Sequence, residues 1–128
     1  MRYLLIICHD DAFAPSEGLV ADIVAWEADL ERRGLRLGGA PLRPPAEAVT
    51  VRVREGRVLR QDGPFSAAAE QMAAYELLEC ASLEEAVELA ARHPMARAGT
   101  VEVRPVWEEL AGDADAVPAG TSPGGPGR

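Results

Sequence analysis

Six consecutive apolar residues, Tyr3-Leu-Leu-Ile-Ile-Cys8, constrain this chain more than any other feature. A half-exposed strand alternates apolar and polar residues, so an unbroken run of this length fits a strand with both faces covered. It is expected to be the central strand of a sheet. The run is too short to cross a bilayer, and it lacks a charged n-region or a small-residue cleavage site. Neither a signal peptide nor a membrane span is expected, and a cytoplasmic location follows as the expectation. A chain of 128 residues reads as one domain with a modest core.

Downstream, Leu19, Ile23, Trp26 and Leu30 recur at helical spacing, with Ser16 placed to cap the helix and Gly34 to stop it. Asp22, Glu27, Asp29 and Glu31 then fall on what is read as a solvated face. Leu35 to Leu42 carries a Gly38-Gly39 pair, which suggests a strand with a bulge or a close backbone approach. Val49, Val51 and Val53 alternate with Thr50, Arg52 and Arg54, and Glu55-Gly56 leads into Arg57 to Arg60, the pattern of a hairpin with one arginine-rich face. Ala74 to Cys80 reads as a strand. Ser82 to Glu85 is a capping box for a second helix, which His93-Pro94 stops. Thr100 to Trp107 forms a last strand whose Pro105 favours an edge or strand end. Residues 111–128, rich in glycine, proline and alanine, are expected to be a disordered tail on a domain spanning 1–110.

This order gives an α+β fold: a ferredoxin-like split β-α-β arrangement with an inserted β-hairpin. Both helices would cover one sheet face. The other face, including the valines of the last strand, would be left apolar, and a monomer rarely exposes a patch of that extent. A homodimer packed sheet to sheet is therefore expected. The net charge of −8 disfavours direct nucleic-acid binding. All thirteen basic residues are arginine. No CxxC or His-x-x-x-His spacing occurs, so no metal and no cofactor are expected, and Cys8 and Cys80 read as small buried residues at opposite strand ends rather than a bridge.

Arg60 to Met72 is too polar and turn-rich for a core strand, and within it Asp62-Gly63-Pro64 fixes a sharp bend. Phe65 is expected to anchor that bend in the apolar interior. The segment Asp62-Gly63-Pro64-Phe65, with its following Ala, Glu and Gln, resembles the DGPF signature of a subgroup of the YCII-related proteins. The resemblance covers about residues 1–109 and implies a dimeric α/β barrel. The family pattern carries a His/Asp pair, and the positions matching it here are Ile23 and His93, so the pair is absent as such. Some relatives of that fold are lyases or isomerases, and members of the DGPF subgroup are associated with extracytoplasmic-function sigma factors. The resemblance thus implies either an accessory or regulatory role linked to such a factor, or chemistry on a lactone-like or carboxylate substrate by a lyase, isomerase or dehalogenase.

The residues offer two histidines for proton transfer, His93 after the second helix and His9 beside Asp10 and Asp11. The topology expected above gathers both, with the hairpin and the DGPF loop, at one end of the sheet, where a cleft is the natural ligand site. Its expected lining is Asp62, Gly63, Phe65, Arg52 and Tyr75, with the arginines suited to a small anionic ligand through bidentate hydrogen bonds. Asp62 is read first as a turn former, its carboxylate accepting from backbone N–H groups.

Overall fold

The computed structural model describes residues 1–111. The expected tail, apart from Ala111, lies outside the described residues. The opening run forms strand β1 (Arg2–His9), followed by helix α1 (Glu17–Arg32) and strand β2 (Arg36–Pro41). A single 3-10 turn (Pro45–Glu47) precedes a hairpin of β3 (Val49–Arg54) and β4 (Arg57–Asp62). Strand β5 (Gln71–Glu79), helix α2 (Leu83–Arg92), a short helix α3 (Met95–Ala98), strand β6 (Thr100–Pro105) and a terminal turn of helix α4 (Glu108–Ala111) complete the chain.

Four strands make an antiparallel sheet in the order β2-β5-β1-β6, and β3 and β4 pair only with each other. The apolar run lies between β5 and β6. Tyr3, Leu5 and Ile7 are buried on one face of β1. Tyr3 and Leu5 pack with Leu78 of β5, Cys80 just beyond it, Trp26 and Leu30 of α1, and Ala86, Leu89 and Ala90 of α2. Both long helices therefore cover one face. The Trp26 Nε1–H donates to the Leu89 carbonyl (3.1 Å), tying the helices together without leaving a buried donor unpaired. Pro105 ends β6 on the sheet edge, where a missing N–H breaks no ladder.

Local rules account for the boundaries. The Leu19 N–H donates to Ser16 Oγ (3.1 Å) at the start of α1, and Gly34, at φ +72°, follows its end while the Leu35 N–H reaches back to Leu30 O. Ser82 caps α2 by accepting from the Glu85 N–H, and the Glu85 carboxylate returns to the Ala81 N–H, one residue earlier than in the usual box. The ladder slips between Arg36 and Gly38, the bulge that the glycine pair suggests. Cys8 and Cys80 are both free.

Two expectations about faces are corrected here. Val101 and Val103 of β6 pack on the helix-covered core rather than on the open face, and the alternate positions Thr100, Glu102 and Arg104 face the other way. The open face is apolar through β1 and β5 instead, where Leu4, Ile6, Tyr75 and Leu77 alternate with the core residues. Phe65 does not anchor its bend, for it is 77% exposed. The bend is held by the backbone: the Gly63 N–H donates to Ala48 O (2.7 Å), and the Thr50 hydroxyl donates to Gly63 O (2.9 Å). Gly63 itself adopts φ +98°, as a residue before Pro64 in a sharp turn can do cheaply only without a Cβ. No helix among the described residues is long and apolar enough to cross a membrane.

Candidate functional site

The second apolar stripe of α1, Val20 and Val24 beside Ile23, does not reach the core. It forms one wall of a cavity of about 380 Å³ between α1 and the sheet. Ile7 of β1, Ala40 and Pro41 of β2, Ala74 of β5 and Met95 of α3 supply the rest of the apolar lining, and the polar contributions are Glu27, Glu76 and His93. An apolar hollow with a few converging polar groups is the usual form of a small-molecule site.

Each polar group arrives by a different local rule. Glu76 shares the inward parity of Leu78 on β5, so the strand drives a carboxylate to the covered face, where its side chain is 3% exposed. Room for it exists because Gly39 on the neighbouring strand has no side chain. A Cβ there would stand 2.2 Å from Glu76 Oε1 and 2.5 Å from the Tyr75 carbonyl oxygen. The Arg36 Nε–H, at the start of β2, donates to Glu76 Oε1 (2.7 Å), and the same guanidinium reaches Glu31 (2.6 Å) and Glu27 (3.6 Å) on α1. Burial, reinforced by Glu27, pushes the Glu76 carboxyl up to about 8, against the pull of Arg36.

His93 caps α2 and is 1% exposed. The Met95 N–H donates to its Nδ1 (3.0 Å), which places the proton of the neutral ring on Nε2. Burial pushes the imidazole down to about 4, partly offset by Glu27, so the ring is neutral near pH 7. Its edge meets Trp26 with centroids 4.6 Å apart. Nε2 is buried without a hydrogen-bond partner among the described residues. A buried donor left unpaired is costly, so an acceptor that reached it would be favoured.

A second hollow of about 200 Å³ continues the first, sharing Ile7, Val20, Ile23, Pro41, Ala74 and Met95 and adding His9 and Phe13. His9 stacks on Phe13 at 4.3 Å, and its Nδ1 lies 2.9 Å from Asp10 O. The fold thus brings both histidines to one groove. It does not bring the hairpin there. Asp62, Gly63, Phe65 and Arg52 line neither hollow, and the Asp62 side chain is 88% exposed, 3.8 Å from Arg60. Tyr75 lies on the opposite sheet face from Glu76. Glu27, read from sequence as solvated, is instead part of the lining, and Arg36 and Glu76 were missed. The signal for Glu76 was its parity with Leu78, and for Glu27 its place in the Val20, Val24, Glu27, Glu31 stripe at helical spacing.

The class so defined is an α+β protein with a small-molecule-sized groove between one helix and an antiparallel sheet. The chain belongs to the YCII-related domain family, whose domain matches residues 1–110. An uncharacterised protein of Rhizobium meliloti (strain 1021) is 31% identical over 110 residues, covering 79% of this chain and 89% of its own. Among solved structures, 5-chloro-2-hydroxyhydroquinone dehydrochlorinase from Burkholderia phenoliruptrix AC1100, in complex with 2,5-dihydroxybenzoquinone, is similar with a TM-score of 0.43 and 16% identity, covering 83% of this chain and 93% of its own. That likeness is too distant to place any residue of the groove.

Proposed function

We propose that this protein is a small-molecule-binding homodimer with an accessory or regulatory role, and that its ligand occupies the groove between α1 and the sheet. The observation that carries the reading is the buried, unpartnered Nε2–H of His93, a residue that lines a mainly apolar cavity. Catalysis by His93, the alternative for a lyase, isomerase or dehalogenase, has less support. A general base needs a free lone pair, and the one on Nδ1 already accepts from the Met95 N–H. His9, partly exposed at the far end of the groove, is the better histidine for that alternative.

The DGPF subgroup is proposed on Asp62-Gly63-Pro64-Phe65, and a ferredoxin-like dimeric barrel on the strand order β2-β5-β1-β6 with its helix-free apolar face. Leu4, Ile6, Tyr75 and Leu77 on that face, and the exposed hairpin residues Val51, Val53 and Val58, give a second copy an apolar surface to cover. Light scattering at micromolar concentration should give twice the chain mass, since interfaces of this kind bury more than about 2,000 Å². A monodisperse monomer refutes the dimer.

The binding reading is tested by NMR of the full chain against a panel of small aromatic acids, alcohols and ketones. Amide shifts should cluster at Ile23, Ala74 and Met95. Shifts confined to Arg52 to Phe65 would move the site to the hairpin and overturn the assignment.

A further inference from the structure

Three carboxylates, of which Glu27 and Glu76 line the groove, converge on the guanidinium of Arg36, and no other cation among the described residues joins them. Arg36, only 12% exposed, serves Glu27 and Glu31 from α1 and Glu76 from β5. Its charge is fully committed. Of the three carboxylates, Glu76 has the buried side chain, 3% exposed, and that burial favours its protonated form. The third polar element is His93, which offers a donor from a neutral ring. β1 contributes only Ile7 to this part of the lining, and α3 only Met95, so neither adds a charge. Resting on the reading of this groove as a ligand site, we propose that it selects an uncharged, mainly apolar molecule bearing a carbonyl or hydroxyl oxygen, which accepts from His93 Nε2–H, and that it rejects carboxylates.

The physical reason is the balance of charge and donors. An anion entering here loses its water, meets a cluster in which carboxylates outnumber the one cation, and finds no arginine among the lining residues to compensate it. An uncharged oxygen loses much less on desolvation and satisfies the orphaned donor. The small anionic ligand expected from the arginine-rich hairpin therefore has no counterpart in this groove.

Benzamide and benzoate have nearly the same shape and differ in charge, so they separate the two cases. Calorimetry and NMR on the full chain at about pH 7 should show benzamide binding at least about tenfold more tightly than benzoate. His93→Phe should lose most of the benzamide affinity, whereas Glu76→Gln, which keeps a donor at that position without charge, should leave the preference intact. Infrared spectra should show a protonated carboxylic acid at about pH 7 that Glu76→Gln removes. If benzoate shifts the Ile23, Ala74 and Met95 amides as strongly as benzamide, the groove stands as a site and the selectivity proposed here is wrong. If neither probe shifts them, the ligand class is refuted together with the reading beneath it. Absence of the carboxylic acid band would refute the protonated Glu76 carboxyl whichever probe binds.

Discussion

Raising the pH from about 6.5 to about 8 should destabilise this protein, because folding holds a proton on Glu76 that the unfolded chain gives up. The carboxyl is moved from its ordinary 4.5 up to about 8. Between those values the native state binds more protons than the unfolded state, so stability falls as pH rises and levels off above about 8. His93 works in the opposite sense. Its pKa is depressed from 6.5 to about 4, so its unfolded form binds the extra proton, and stability rises with pH between those values. The two slopes nearly cancel between about 4.5 and 6.5. Above 6.5 only Glu76 acts, and at 1.36 kcal/mol per pH unit the loss up to pH 8 is about 2 kcal/mol, or roughly 5 to 10 °C in Tm for a domain of this size. The amino terminus, raised by its hydrogen bond to Glu79, contributes stability present below 8.0 that is lost above the window. Glu108, lowered by its hydrogen bond to Arg2, contributes stability present above 4.5 that is lost below it. Thermal unfolding at fixed protein concentration, which a dimer requires, gives the profile. Glu76→Gln should abolish the decline above 6.5 and uncover the acid limb of His93. A wild-type profile that is flat or rising from 6.5 to 8, or a decline that persists in Glu76→Gln, would refute the reasoning.

Gly39→Ala should cost about 1 to 3 kcal/mol in denaturant unfolding, because the new Cβ meets both the Glu76 carboxylate and the Tyr75 backbone oxygen, and the second cannot rotate away. Asp62→Asn and Arg52→Ala should fold with stability within about 0.5 kcal/mol of wild type and bind groove ligands unchanged, since neither side chain lines the cavity. A large loss of ligand affinity in either variant, measured by calorimetry, would return the hairpin to the site.

Much of the fold was determined by local rules that operate within a few residues. The unbroken run Tyr3 to Cys8 became an inner strand of the sheet, buried on its helix-covered face. Ser16 and Ser82 started the helices, Gly34 and His93-Pro94 ended them, and Pro105 marked an edge. His93 was also legible as a candidate, because a histidine is a scarce titrating residue in this chain. Its role was not, since the tautomer depends on which nitrogen the Met95 N–H reaches after the chain turns into α3. The face taken by Val101 and Val103 depended on how β6 pairs with β1, which alternation alone leaves open. Phe65 was misplaced for a related reason: the hairpin forms its own two-stranded sheet and offers no interior beneath the bend. The groove was decided by tertiary structure. Glu27, Arg36, Glu76 and His93 lie on four segments separated by up to 66 residues, and each alone reads as ordinary surface charge or a helix end. Only the bulge in β2, the bare backbone at Gly39 and the cavity that α1 and the sheet enclose bring Glu27 and Glu76 together with His93.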